Sequence, residues 1–185
     1  MLHNIALAFW FFLPPALANA TPIGVAALPY VKRWDAPMDF GKSFQGWRIL
    51  GPHKTWRGLI AGMLSSTIAL WLQQLAYDHT GWGASIGHGV PYNTLPTLVL
   101  GPLFGLGALG GDAIKSFFKR RRGTPSGATW LPFDQLDYVV GGTVVSLPFV
   151  VLAWPVYVWI LVLWFGIHFI ASYLGWKAGL KQQPI

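Results

Sequence analysis

The sequence contains no cysteine and no glutamate, and it has only six acidic residues among 185. The absence of cysteine excludes disulfides, thiolate metal sites and cysteine nucleophiles. The six acids are all aspartates, and thirteen lysines and arginines outnumber them, for a formal net charge of +7. Because carboxylates are so scarce, each aspartate is a candidate for a specific role. They lie at positions 35, 39, 78, 112, 134 and 137.

Apolar residues dominate what is present: 54% of the chain is hydrophobic and only 10% is charged. A helix needs about 20 apolar residues to cross about 30 Å of hydrocarbon. Five stretches approach this length, at residues 4–31, 59–77, 95–114, 138–153 and 155–176. The sequence therefore predicts one domain over residues 1–185, an all-α integral membrane protein with about five transmembrane helices. The first stretch has signal-peptide features but lacks a preceding Lys or Arg, which favours a retained helix.

The basic residues predict the orientation in the membrane. All but two of the thirteen lie in residues 32–57 and 115–137, the last two lie near the C-terminus, and residues 78–94 have none. Positively charged loops stay in the cytoplasm. We therefore expect two charged cytoplasmic loops, an external N-terminus and a cytoplasmic C-terminus.

Lys54 and Arg57 are three residues apart at the start of the second stretch. If a helix begins here, both side chains share one face. Two cations at a membrane surface suit a phosphate group. Anchoring of the helix end, or enforcement of orientation, is the alternative role.

Asp112 ends an otherwise apolar stretch and is followed by Lys115, Ser116 and Lys119. If the helix continues, the four residues form one polar stripe. A carboxylate at this depth is costly unless it is paired or functional. A purely structural ion pair with Lys115 or Lys119 remains the alternative.

Asp134 and Asp137 are also three residues apart, just before the fourth stretch. Like charges that point the same way repel unless a cation lies between them, and Mg²⁺ prefers carboxylate and phosphate oxygens. Capping of a helix N-terminus is the alternative role.

A basic run at residues 119–122 precedes a turn that contains Gly123 and Gly127. Backbone N–H groups and guanidinium groups in such a loop can bind phosphate oxygens. Binding of anionic lipid is the alternative. We expect no nucleic-acid partner, because no aromatic platform is interleaved with these charges.

Three motifs in this order resemble those of the archaeal CDP-archaeol synthases, distant relatives of the CDP-diacylglycerol synthases. They are Gly51-x-x-Lys54-Thr55-Trp56-Arg57-Gly58, Gly111-Asp112-x-x-Lys115-Ser116-Phe117-x-Lys119-Arg120-Arg121 and Asp134-Gln135-Leu136-Asp137-Tyr138. The resemblance extends to Pro15-x-x-x-Asn19-x-x-Pro22 and Pro37-Met38-Asp39-Phe40-Gly41. It departs at Ser172 and at Pro184-Ile185, where the family tends to have Asn and Pro-Trp.

The resemblance implies transfer of a cytidylyl group from CTP to unsaturated archaetidic acid, an ether-lipid phosphate, giving CDP-archaeol and pyrophosphate. It implies a protein embedded in the lipid bilayer of the cell membrane, with an active site at the cytoplasmic face, where soluble CTP and the membrane-bound lipid can meet. Asp112, Asp134 and Asp137 would hold Mg²⁺, and Lys54 and Arg57 would hold the lipid phosphate. The groups expected to bind CTP are Lys115, Ser116, Lys119, Arg120, Arg121, Gly123 and Gly127. Lys115 and the three aspartates are also the expected catalytic residues. A membrane transporter or channel for phosphorylated anions is the alternative function, and the sequence sets no expectation for oligomeric state.

Overall fold

A computed structural model describes residues 1–31, 33–124 and 128–179 of the chain. In chain order the elements are α1 (Leu2–Ala27), β1 (Ser43–Phe44), β2 (Trp47–Arg48), α2 (Trp56–His79), α3 (Gly81–Ile86), a 3₁₀ turn (Tyr92–Thr94), α4 (Thr97–Arg121), α5 (Phe133–Ser146) and α6 (Trp154–Lys177). The fold is therefore helical apart from one short hairpin. That hairpin turns through Gln45 and Gly46, which both have positive φ angles, as a tight two-residue turn requires.

Four helices in the described ranges are long and apolar enough to cross a membrane, namely α1, α2, α4 and α6. The predicted all-α membrane fold is confirmed. The fourth predicted stretch differs in extent: α5 begins at Phe133 and ends at Ser146 after 14 residues, a length of about 21 Å. It stops just before Pro148, which has no backbone N–H to continue a helix. The chain then runs without helix to Trp154, where α6 begins with Pro155 in its first turn.

Glycines on α4 let two neighbouring helices approach it closely. A Cβ built on Gly101 or Gly105 would lie 2.6 Å from the backbone of α2. A Cβ on Gly107 would lie 2.5 Å from a carbonyl oxygen of α5, and one on Gly111 would lie 2.4 Å from the carbonyl oxygen of Asp137. Small residues at four-residue spacing permit such contacts between membrane helices. As a result α4 lies against α2 on one side and α5 on the other.

Aromatic side chains join α1 to the remaining helices. The ring of Phe12 lies 6.0 Å from that of Tyr138 in α5 and 5.8 Å from that of Trp164 in α6. The Tyr138 hydroxyl donates a hydrogen bond to the Trp164 carbonyl at 2.9 Å. These buried contacts fix the α5 and α6 backbones relative to α1.

Both charged loops lie at the same end of the helix bundle. There α1 ends, α2 begins, α4 ends and α5 begins, and the Arg121 guanidinium donates to the Arg48 carbonyl across the two loops at 3.1 Å. This arrangement agrees with the prediction that the two loops share one side of the membrane. The cytoplasmic identity of that side, and the external N-terminus, stay predictions.

Candidate active site

The Lys115 ammonium group lies among three carboxylates. Its Nζ is 3.0 Å from Asp112 Oδ1, 2.7 Å from Asp134 Oδ1 and 2.5 Å from Asp137 Oδ2. Asp112 and Lys115 are one turn apart on α4, whereas Asp134 and Asp137 lie on the first turns of α5. The three aspartates predicted to act together therefore meet at one point.

The continuous helix α4 explains one half of this cluster. It runs to Arg121, so Asp112, Lys115, Ser116 and Lys119 line one face, as the sequence predicts. The Ser116 hydroxyl donates to the Asp112 carbonyl at 2.8 Å. Lys119 Nζ lies 3.3 Å from Asp134 Oδ2 and also donates to the carbonyl of Ala128 in the second loop. Lys119 thereby ties that loop to α4 and α5.

Lys54 reaches the same cluster from the first loop and forms an ion pair with Asp112. The expectation that Lys54 and Arg57 share a helical face is wrong, because α2 begins at Trp56, after Lys54. Thr55 caps the helix, its hydroxyl accepting from Gly58 N at 3.2 Å. Lys54 therefore lies in the loop before the extended cap residue Thr55 and contacts Asp112 from there, while Arg57 lies in the first turn of α2.

The Arg57 side chain is buried. Its Nη1 donates to the Val31 carbonyl at 3.0 Å, while its Nε has no hydrogen-bond partner among the residues that the structure describes. A buried guanidinium with an unused donor can bind an additional anion.

The positive and negative charges in the cluster balance, which makes their partial burial tolerable. The carboxylates of Asp112, Asp134 and Asp137 face the ammonium groups of Lys54, Lys115 and Lys119. Buried charges persist only when they are paired. The ion pair considered as the alternative role of Asp112 is thus present, within a larger network. Among the described residues, no group of three His or Asp side chains is already arranged as a metal site, and the point that the three aspartates share holds the Lys115 ammonium group.

Asp39 organises the first loop that supplies Lys54. Its carboxylate accepts from Arg48 Nε and Nη2, each at 3.1 Å, and from the backbone N–H groups of Leu50 and Gly51, each at 3.0 Å. Burial raises the pKa of Asp39, but these hydrogen bonds outweigh burial and hold that pKa well below its usual range. Asp39 thus fixes the backbone three residues before Lys54, a supporting role that the sequence reasoning missed. Acidic residues are scarce in this sequence, and an aspartate within a basic loop was the signal that could have identified this role.

A cavity of about 830 Å³ surrounds these groups, within the usual range for ligand sites. All but three of the predicted site residues line it. Those that do are Lys54, Arg57, Asp112, Lys115, Ser116, Lys119, Arg120, Asp134 and Asp137. Of the other three, Gly127 lies outside the described residues.

Arg121 and Gly123, which also were predicted to bind CTP, do not line the cavity. The Arg121 guanidinium lies 3.9 Å from the centre of the Phe117 ring and donates to the Arg48 carbonyl, so it docks the hairpin onto α4. Gly123 follows the last turn of α4 with a φ of 68°, the left-handed conformation that ends many helices. Their roles in phosphate binding stay predictions.

Several uncharged polar residues that sequence reasoning did not assign also line the cavity. They are Asn19, Thr129, Gln135, His168 and Ser172, with His53 at the first loop. Asn19, His168 and Ser172 interrupt apolar stretches, and polar residues within membrane spans are often functional. That interruption was the signal that could have identified them.

Comparison with known proteins gives a match over the full length: the family model for CarS-like CDP-archaeol synthases covers residues 1–185. The chain belongs to the CDP-archaeol synthase family. The CDP-archaeol synthase of Thermococcus onnurineus is 33% identical over 184 residues, which cover 99% of this chain and 98% of that protein. That of Methanosphaerula palustris is 37% identical over 155 residues, covering 80% and 89%.

A solved structure of an intramembrane enzyme for archaeal membrane lipid biosynthesis has the same fold. It is 30% identical in sequence, superposes with a TM-score of 0.71, and the match covers 89% of this chain and 92% of that one. The prediction of a multi-pass membrane protein is confirmed.

Membership of the CDP-archaeol synthase family also confirms the predicted enzyme class, a CTP-dependent cytidylyltransferase that acts on a lipid phosphate. The alternative of an anion transporter or channel is not supported by these matches.

Proposed function

We propose that this protein transfers the cytidylyl group of CTP to unsaturated archaetidic acid in a Mg²⁺-dependent reaction that releases pyrophosphate. The observation that carries the proposal is the convergence of Asp112, Asp134 and Asp137 on a single cationic point inside a large cavity rich in lysine and arginine. Such a site combines ligands for a hard cation with ligands for two phosphates.

The chemistry of the three aspartates fits Mg²⁺. Carboxylate oxygens are the protein ligands that Mg²⁺ prefers, and these three already share one cation, the Lys115 ammonium. Lys115 would give way when the metal is held, because both cations need the same oxygens. When bound, Mg²⁺ would offset the negative charge of the CTP phosphates.

Lys115, Lys119 and Arg120 would bind the phosphates of CTP. All three line the cavity on the C-terminal half of α4. The ammonium groups of Lys115 and Lys119 are held beside the aspartates, and their side chains are flexible, so each would move to bind a phosphate of CTP.

Arg57 and Lys54 would hold the phosphate of the lipid. Arg57 is buried and keeps an unpaired Nε in the described part of the chain. It lies in the first turn of α2, where the helix N-terminus also favours an anion. Lys54 forms an ion pair with Asp112 and lines the same cavity as Arg57, and it would help to hold the lipid phosphate near the CTP phosphates.

In the proposed reaction an oxygen of the lipid phosphate attacks the α-phosphorus of CTP. The new P–O bond forms as the bond from the α-phosphorus to the β-phosphate oxygen breaks, and pyrophosphate leaves with the electron pair. A phosphate nucleophile is already anionic and needs no general base. Cations that bring two anions together and neutralise developing charge supply the catalysis. The charged loops would place this chemistry at the cytoplasmic face of the cell membrane.

The test is to incubate detergent-purified protein with labelled CTP, Mg²⁺ and either unsaturated archaetidic acid or diacyl phosphatidic acid. Labelled CDP-lipid and pyrophosphate from the ether lipid, abolished by a chelator and restored by added Mg²⁺, are expected. Product that persists in the chelator would refute the metal requirement. Product from the diacyl lipid alone would refute the proposed substrate, and absence of product from folded protein would refute the proposed reaction.

A further inference from the structure

Gln135 has a buried carboxamide whose oxygen is unused. The residue lies on α5 between Asp134 and Asp137, is 1% exposed and lines the same cavity. Its Oε1 is buried and has no hydrogen-bond partner in the described part of the chain. Leaving a buried acceptor without a hydrogen-bond partner destabilises the protein. A ligand that donates a hydrogen bond to this oxygen would remove that destabilisation.

Gln135 lines the cavity beside residues of α6 as well as beside the charged cluster. Tyr138, one turn later on α5, donates to the Trp164 carbonyl, and its ring lies 5.9 Å from that of His168. Residues three apart are neighbours on a helix surface, so Gln135 lies next to the residue that joins α5 to α6. His168 and Ser172 of α6 line the cavity with it. Gln135, His168 and Ser172 form a polar part of the cavity lining without a carboxylate, ammonium or guanidinium group, which is called the polar wall below.

The chemistry of the two proposed substrates decides which of them can donate a hydrogen bond to Gln135 Oε1. The ether lipid presents ether and phosphate oxygens, which accept hydrogen bonds. CTP presents true donors, namely the 4-amino group of cytosine and the ribose hydroxyls. A carboxamide places an acceptor beside a donor, and the edge of cytosine places its 4-amino donor beside the N3 acceptor. The two edges are complementary.

We propose that Gln135 reads the base of the nucleotide, with Oε1 accepting a hydrogen bond from the 4-amino group of cytosine. This inference rests on the proposed function, because it assumes that CTP occupies the cavity. It assigns to Gln135 a part in choosing the nucleotide, distinct from the phosphate and metal roles of its neighbours. The polar wall of the cavity then holds the nucleoside, while Lys115 and Lys119 hold its phosphates.

The experiment measures equilibrium binding of CTP and of its analogue without the 4-amino group, 2-pyrimidinone riboside triphosphate, to purified protein with Mg²⁺ and without lipid. Wild-type protein should bind CTP roughly tenfold more tightly than the analogue, the value of one hydrogen bond. In Gln135→Leu, and in Gln135→Met as a second variant, the two affinities should become equal through weaker CTP binding. Binding of 2′-deoxy-CTP relative to CTP should not change.

Gln73→Leu is the matched control. Gln73 is similarly buried, and its Oε1 also lacks a partner among the described residues, but it does not line the cavity. This variant should keep the wild-type preference for CTP over the analogue.

Equal binding of CTP and the analogue by wild-type protein would overturn the inference, even if both variants failed to fold. An equal loss of affinity for both nucleotides in the Gln135 variants would also overturn it, as would a selective change for 2′-deoxy-CTP, which would indicate a ribose contact. Any of these results could coexist with normal CDP-lipid formation, so the proposed function would stand. Failure of wild-type protein to bind either nucleotide would overturn both proposals.

Discussion

The contact between Gly111 and α5 predicts that one added methyl group separates the two halves of the site. A Cβ at Gly111 would lie 2.4 Å from the carbonyl oxygen of Asp137, about 1 Å inside the 3.4 Å at which ordinary contact begins. That oxygen belongs to the backbone, so no side-chain rotation relieves the overlap. In Gly111→Ala, α5 must therefore move by about 1 Å and carry Asp134 and Asp137 away from Lys115. Misplacement of catalytic groups by 1 Å can cost roughly 100-fold in rate.

Gly110→Ala is a control on the adjacent residue of the same helix. A Cβ at Gly110 meets no described atom within 4 Å, and replacing a helical glycine by alanine favours the helix by about 1 kcal/mol. We expect Gly110→Ala to keep the wild-type rate with equal or greater thermal stability.

The assay is the initial rate of CDP-lipid formation by purified protein, with thermal unfolding followed in the same detergent. Gly111→Ala should lose roughly 100-fold in rate, and overpacking should cost it about 1–3 kcal/mol of stability, partly offset by helix propensity. A Gly111→Ala variant with a wild-type rate would refute the argument. Equal losses in both variants would show that the glycines matter for a reason other than the approach of α5.

Three further predictions test individual charges. Asp112→Asn should abolish CDP-lipid formation by folded protein, because it removes the charge that Lys54 and Lys115 contact. Asp78→Asn is the control: Asp78 does not line the cavity, so this variant should keep the wild-type rate. An active Asp112→Asn variant would contradict the assignment. Arg57→Ala should raise the apparent KM for lipid by roughly 10–100-fold, because a charged hydrogen bond is lost, and should leave the KM for CTP unchanged. The control variant Arg33→Ala should change neither KM. A selective effect of Arg57→Ala on the KM for CTP would reverse the assignment. Asp39→Asn should lower stability at pH 7 by about 2 kcal/mol, measured by thermal unfolding. The pKa of Asp39 is depressed in the folded protein, so its stabilising effect is present above the usual aspartate pKa of about 4 and is lost as the pH falls further. The difference in stability between the variant and the wild-type protein should therefore disappear at low pH. A difference that does not depend on pH would contradict the ionic role.

Much of the fold was predictable because hydropathy and proline act locally. The apolar stretches correspond to α1, α2, α4, α5 and α6, and the basic runs mark the two loops that meet at one end. The extent of α5 was less predictable. A run of apolar letters continues through residues 147–153, but the helix ends at Ser146, before Pro148. Average hydropathy does not register that loss of a backbone donor.

The candidate site was predictable as a set of residues and much less so as an arrangement. The scarcity of carboxylates and the spacing of the motifs identified the three aspartates, which do meet. The same reasoning placed Lys115 with the phosphates, whereas in the structure it lies among the carboxylates. It also separated Lys54 from Asp112, which form an ion pair across 58 positions of sequence. The pair of Lys115 with Asp112 has a local signal in its three-residue spacing, but the contacts of Lys115 with Asp134 and Asp137 and that of Lys54 with Asp112 have none.

The sequence by itself determined three properties of this protein: apolar stretches that require a membrane, basic residues concentrated in two loops, and a few aspartates near helix ends. Those properties follow from composition and from spacing along single helices. Only the tertiary structure decided which of these groups share one point. That choice depends on how closely α4 approaches α5 at Gly111 and on the path by which the first loop returns Lys54 to Asp112. Ion pairs act over a few ångströms, so the crossing of helices, set by contacts between residues far apart in the chain, decides which charges meet.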